Sequence, residues 1–140
     1  MNPPILSESQ KKQLINAAAA AWKKAYAPYS QFQVGAALLS DQGKIYTGCN
    51  VENASYGLSI CAERNAIATA IAAEGAAQFT IKAIAIANNR QIPCSPCGAC
   101  RQVIAEFSLD TSLIFLGAEG YQTCSISQLL PQEFSLADRR

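Results

Sequence analysis

Apolar residues recur every fourth position from Leu14 through Ala18 and Trp22 to Tyr26, which predicts an amphipathic helix with one buried face. Ser7 with Gln10 three residues on reads as a capping box at its start, and Pro28 closes it. Residues 32–40 are small and apolar, and 44–47 resume after the turn residues Asp41, Gln42 and Gly43, so a β-hairpin is expected. Residues 48–59 form a polar loop rich in Asn and Ser. A second helix is expected over about 60–74, with Ser59 as its N-cap and Gly75 at its stop. Its faces are mostly Ala and Ile, which predicts deep burial.

Residues 81–87 alternate and are β-branched, the pattern of a strand, ended by Asn88 and Asn89. Pro96 has the fixed φ suited to a first helical position and Ser95 stands ready to cap it, so a third helix is expected over 96–107. Two more strands follow at 112–116 and 121–126, then a helical turn at 127–130 before Pro131. The order of helix, two strands, helix, strand, helix, two strands implies an α/β fold, a mixed sheet of about five strands covered by helices. The 140 residues fit one domain, 1–140.

Composition narrows the chemistry. Half of the residues are hydrophobic and 15% are charged, enough for a core that needs no disulfide framework. The net charge of +1 lacks the electrostatic footprint of a protein that grips a polyphosphate, so no nucleic acid polymer is expected as partner. Apolar stretches fall short of a membrane span, so no membrane association is expected. Residues 1–12 carry their acidic and proline residues before their basic ones, the wrong order for a secretory signal, and a cytoplasmic protein is expected. There is no histidine, so mechanisms that need an imidazole base or ligand are excluded within this chain. There are six cysteines, which in such a chain point to metal or redox chemistry.

Cys97 and Cys100 stand three apart at the start of the third helix and share a face. Cys61 occupies the equivalent place on the second helix, just past its expected cap, so two helix N-termini are expected to point at one centre. Helix N-termini favour the thiolate form that metal binding requires, and three thiolates with an open fourth position suit catalytic Zn2+. Cys94 extends the run to C-x-x-C-x-x-C, but the iron–sulfur pattern needs a cysteine at the place of Ile104. Cys49, Cys94 and Cys124 read as small buried or loop residues. Glu63 lies roughly 200° around the helix from Cys61, so its carboxylate reaches the ion only if the helix points end-on. It would then take a proton from an activated water. Arg64 is placed to donate hydrogen bonds to the thiolates.

Cys61-Ala62-Glu63-Arg64 followed by Pro96-Cys97-Gly98-Ala99-Cys100-Arg101-Gln102 resembles the zinc deaminase signature C-x-E with P-C-x-x-C, in which the Glu is an acid/base and not a ligand. Phe32-Gln33-Val34-Gly35-Ala36-Ala37 and Gly48-Cys49-Asn50-Val51-Glu52-Asn53-Ala54 are similar to the substrate-pocket segments of cytidine deaminases, specifically the short homotetrameric type with three cysteine ligands. The resemblance implies a three-layer α/β/α sandwich, Zn2+ on Cys61, Cys97 and Cys100, and Glu63 as proton shuttle. It further implies that Asn50 and Glu52 hold ribose hydroxyls, that Phe32 packs on the pyrimidine, and that Val34 and Ala62 line the same pocket. Ala54 and Tyr56, and Phe134 near the C-terminus, match residues lent to a neighbouring subunit's pocket. A homotetramer with active sites at its interfaces, acting on cytidine and deoxycytidine in pyrimidine salvage, is what the resemblance implies. Departures from the pattern are Asn65, where Thr is more usual, and Gln132-Glu133 before Phe134 in place of smaller residues.

Three other readings compete. A blasticidin-type deaminase shares both cysteine motifs, but Asn50-Val51-Glu52-Asn53 suits a ribose. A polynucleotide-editing deaminase needs basic grooves. A zinc-stapled binding module would leave Glu63 incidental and close the site with Cys94.

Overall fold

Strand residues alternate between the two faces of one sheet, and here the two faces differ in size. In the computed structural model, which describes residues 5–136, the elements run α1 (Glu8–Trp22), β1 (Val34–Ser40), β2 (Ile45–Cys49), a 3-10 turn (Tyr56–Leu58), α2 (Ala62–Glu74), β3 (Ile81–Asn88), α3 (Gly98–Glu106), β4 (Ser108–Gly117), β5 (Gly120–Ser125) and α4 (Ile126–Leu129). Four residues at each end of the expected 1–140 domain, including the first four of the 1–12 stretch, lie outside the described residues.

The strand order is β2-β1-β3-β4-β5, with β3 and β4 parallel across α3 and the other pairs antiparallel. Ile84, Ile86, Leu38, Leu113 and Phe115 point to the face that carries α2 and α3. Ala37, Ala83, Ala85 and Ala87 point to the opposite face, against Leu14 and Ala18 of α1. The small residues let α1 press close to the sheet while the large ones fill the space beneath α2 and α3. The result is the expected three-layer α/β/α sandwich around a mixed five-stranded sheet.

Several boundaries move for tertiary reasons. The Ser7–Gln10 capping box forms as expected. However, α1 ends at Trp22, four residues before Tyr26, because Tyr26 leaves the helix to bridge Val51. Its N–H donates to Asn50 O at 3.1 Å and its carbonyl accepts from Glu52 N at 2.9 Å. Strand β4 begins at Ser108, earlier than expected, and Asp110 takes a left-handed φ of 66° within it, which broke the strand pattern. Helix α2 is buried on one face only, through Ala62, Glu63, Ala66, Ile67 and Ala70, while Ala68, Ala72 and Ala73 are exposed. Alanine is compatible with either side of a helix, so an alanine-rich pattern does not report burial.

Two glycines set the helix-to-sheet distance. A β-carbon on Gly35 would overlap the Ala18 carbonyl oxygen of α1. One on Gly48 would overlap the Ala66 nitrogen and lie 2.7 Å from the Ala62 carbonyl oxygen of α2. Both obstacles are backbone, which cannot rotate away. Gly48→Ala is expected to lower stability by about 1–3 kcal/mol in urea unfolding. Gly57→Ala, where no atom lies within 4 Å of the added carbon, is the control, with a change within roughly 0.5 kcal/mol. Equal effects at the two positions would refute the close-approach argument.

Candidate active site

The N-cap residue of a helix presents its side chain to the unpaired N–H groups of the first turn. Both helices on the large-residue face of the sheet begin with a cysteine in that position: Cys61 caps α2 and Cys97 caps α3, each with extended backbone and no side-chain capping bond. This corrects the expected caps, Ser59 and Ser95, and the expected first helical residue, Pro96. Each helix starts later than expected, so Cys61 and Cys97 flank their helices from outside while Cys100 lies in the first turn of α3. The correction strengthens the convergence of two helix N-termini inferred from the sequence.

The sulfurs of Cys61, Cys97 and Cys100 all lie within 4.8 Å of one another, and Cys61 Sγ is 3.8 Å from Cys97 Sγ. A tetrahedral ion with Zn–S bonds of about 2.3 Å holds its sulfurs about 3.8 Å apart. The donor set therefore fits Zn2+ in both chemistry and spacing. Cys100 is buried, Cys61 half-buried and Cys97 exposed, so the site is shielded on one side and accessible on the other. Cys94, half-buried against the core, is not among the grouped sulfurs, and burial pushes its thiol up to about 11.

Charge at the site is shared among neighbours. The Cys100 thiol, helped by Arg64 and Cys97, stabilises the Cys61 thiolate and brings its pKa down to about 5. The same contact with Cys61, and then burial, push Cys100 upward. Arg64 Nη2 donates to Cys61 Sγ at 3.6 Å, as the spacing predicted, while its Nε is buried with no hydrogen-bond partner among the described residues. Glu63, in the first turn of α2, is 5% exposed, and burial pushes its carboxyl up to about 7. Its own backbone N–H and the Cys100 thiol on the other helix oppose that rise.

The residues expected to meet the nucleoside form a second group. Phe32 is partly buried against the core, and Asn50 braces it from below: Asn50 Oδ1 accepts from Val34 N at 2.8 Å and its Nδ2 donates to Phe32 O at 2.9 Å. Glu52 accepts from Tyr29 N at 3.0 Å, Ser30 N at 3.2 Å and the Ser30 hydroxyl, which holds its carboxylate below the usual range. A hollow of about 270 Å³ lined by Tyr29, Ser30, Glu52, Tyr56 and Ser59 opens beside it. Val34 and Ala62 are buried. Ala54, Tyr56 and Phe134 are exposed, Tyr56 by 75% and Phe134 by 71%, and within this chain they do not close over the cysteines.

Two positioning elements escaped the sequence reading. Arg101 donates from Nε to Pro96 O at 2.7 Å, from Nη1 to Leu129 O at 3.0 Å and from Nη2 to Ser95 Oγ at 3.2 Å, so its rigid fork ties the loop before Cys97 to α4. Asn65 Nδ2 donates to Cys49 O at 2.8 Å and fastens α2 to the end of β2. The signal for Arg101 was its position four residues after Cys97, one helical turn on the same face. Nothing local announced Asn65.

Residues 8–116 match the family model described as the cytidine and deoxycytidylate deaminase zinc-binding region. Over 129 residues the chain is 44% identical to cytidine deaminase of Sporosarcina psychrophila, covering 91% of this chain and 93% of that one. Over 130 residues it is 45% identical to cytidine deaminase of Halalkalibacterium halodurans, covering 91% and 96%. Among solved structures, cytidine deaminase from Burkholderia pseudomallei superposes with a TM-score of 0.80 at 45% identity, covering 92% of this chain and all of that one. Three thiols at two converging helix starts, and these matches across nearly the whole chain, have one reading: the chain belongs to the zinc-binding cytidine and deoxycytidylate deaminase family.

Proposed function

We propose that this protein catalyses the hydrolytic deamination of cytidine and deoxycytidine to uridine and deoxyuridine with release of ammonia. The observation that carries the reading is the buried Glu63 carboxyl set beside three thiols spaced for one ion. Bound by Cys61, Cys97 and Cys100, zinc supplies Lewis-acid activation of water for attack at C4 of the base. Glu63 accepts the first proton of the water and delivers it to N3, then accepts the proton of the new C4 hydroxyl and delivers it to the amino nitrogen. The C4–N bond breaks with its electron pair on nitrogen, and ammonia departs as the C4 carbonyl forms. A carboxyl whose pKa lies near 7 is matched to this double duty, since it both takes and returns a proton near neutral pH. Arg64 offsets the negative charge of three thiolates.

Phe32, Val34 and Ala62 bound the base, and Asn50 and Glu52 meet the ribose. Asn50 keeps one N–H and Glu52 further lone pairs beyond the bonds they already make. The binding-module reading needs Cys94 as a fourth ligand, and its separation from the three grouped sulfurs counts against that.

The proposal extends to assembly. Tyr56, Leu58 and Phe134 are exposed in the single chain, as are Ala68, Ala72 and Ala73 along α2. Together they offer apolar surface for further copies, and we read the active form as a homotetramer in which Ala54, Tyr56 and Phe134 complete a neighbour's pocket. The whole chain, 1–140, acts as one domain. No described helix is long and apolar enough to cross a membrane, and a cytoplasmic role in pyrimidine salvage is the setting that suits a small nucleoside substrate.

Purified protein is expected to release ammonia from cytidine and deoxycytidine with about one zinc per chain. Glu63→Gln is expected to retain zinc while kcat falls about 10²- to 10⁴-fold; undiminished turnover would sink the mechanism. Metal analysis of two further variants separates the ligand from its neighbour: Cys97→Ala loses zinc and Cys94→Ala keeps it, the opposite result favouring the binding module. Sedimentation is expected to give the mass of four chains, and a fully active monomer would contradict the shared pocket.

A further inference from the structure

Two loops bracket Phe32 in a way that the proton chemistry does not explain. Four non-glycine residues among those described have left-handed backbone, and two of them stand here: Gln31 with φ of 60° and Gln91 with φ of 50°. Such backbone is unfavourable for residues with a β-carbon and persists where the surroundings over-determine it. Those surroundings are two adjacent asparagines at the end of β3. Asn89 accepts from Gln33 N at 3.1 Å and donates to Gln31 O at 3.3 Å, holding the chain on either side of Phe32. Asn88 Oδ1 accepts from Arg90 N at 3.0 Å and Ile92 N at 3.2 Å, and its Nδ2 donates to Ile92 O at 2.9 Å, fixing the loop on either side of Gln91.

The side chain thus delivered is Arg90. Its guanidinium carbon lies 5.5 Å from the centroid of the Phe32 ring, and its Nη2 donates to Ser30 O at 2.9 Å. Ser30 in turn accepts from Phe32 N at 3.0 Å through its hydroxyl oxygen and donates that hydroxyl to Glu52. One exposed arginine therefore grips the segment that carries Phe32 at two points, and the Ser30 hydroxyl of that segment bonds to Glu52 on the other arm.

We infer that Arg90 is a positioning residue for nucleoside binding: through the Phe32 ring and the Ser30 carbonyl it fixes the base-facing segment 30–32, and the Ser30 hydroxyl so placed ties that segment to Glu52 on the ribose-facing arm. The inference rests on the cytidine deaminase reading above. Pre-ordering two arms removes an ordering cost that binding would otherwise meet. Its loss weakens ground state and transition state alike, and so appears in KM and not in kcat.

The test compares wild type, Arg90→Met and Arg90→Lys by steady-state kinetics with cytidine and with 2′,3′-dideoxycytidine, alongside zinc content and melting temperature. A cation over an aromatic face and one charge-assisted hydrogen bond are lost in Arg90→Met, so KM for cytidine is expected to rise roughly 5- to 30-fold with kcat within about twofold. The rise is expected to be smaller for the dideoxy substrate, which has no 2′ or 3′ hydroxyl for the Glu52 arm to meet. Arg90→Lys keeps a cation over the ring without the planar fork and is expected to recover part of the loss. Unchanged KM, an equal fall in kcat, an equal rise for both substrates, or no recovery with Lys overturns the inference. Wild-type protein that fails to deaminate cytidine overturns the underlying reading as well, whereas an active wild type with unaffected variants overturns this inference alone.

Discussion

The structure turns on bringing two helix N-termini to within a sulfur–sulfur distance of one another. Like ends of two helix dipoles repel, and each exposes unpaired N–H groups that need partners. With Cys61 and Cys97 as the N-caps, one group of thiols sits where the two positive helix ends converge, a place that favours the thiolate form and is spaced for one divalent cation. Arg64 and the Cys100 thiol supply the same compensation from within the chain. The helices can meet there because α2 lies directly on Gly48 and is fastened to β2 through Asn65, while Arg101 ties the loop before α3 to α4.

Burial accompanies that convergence and shifts the Glu63 carboxyl. Glu63, two residues after Cys61, is buried in the first turn of α2, and desolvation lifts its pKa to about 7. The adjacent Cys61 sulfur feels stronger compensation and moves the other way, to about 5. Groups two residues apart thus shift in opposite directions because one is chiefly desolvated and the other chiefly hydrogen-bonded. The loops around Phe32 and Glu52 obey a different rule. Asn50, Glu52, Asn88 and Asn89 are spent largely on backbone groups, which shapes irregular segments that no regular ladder supports.

Much of the fold was legible because its signals were local. The capping box of Ser7 and Gln10 and the turn at Gly43 each rest on residues a few positions apart. The alternation of Ala and Ile in β3 was equally local, and it even encodes which face lies against α1. The grouping of Cys61, Cys97 and Cys100 could be read from spacing once helix starts were assumed. The caps themselves were misread because Ser59 and Ser95 have the higher cap propensity, and the requirement that overrode it, that the cysteine side chains face each other, is not local. The end of α1 was misread for the same reason, since Tyr26 is drawn out by Val51 from a distant loop.

The sequence by itself determined the element types, the two-sided sheet and the zinc-binding chemistry of a chain without histidine, because periodicity, capping and ligand type act over a few residues. Only the tertiary structure decided which atoms meet: that Glu63 is buried, that Cys94 stays apart from the three grouped sulfurs, and that Arg90 reaches across from the end of β3 to Phe32 and Ser30. Those outcomes depend on how closely helices approach the sheet and on which loops are braced together. They are set by packing between residues far apart in the chain, for which local sequence carries no period and no spacing.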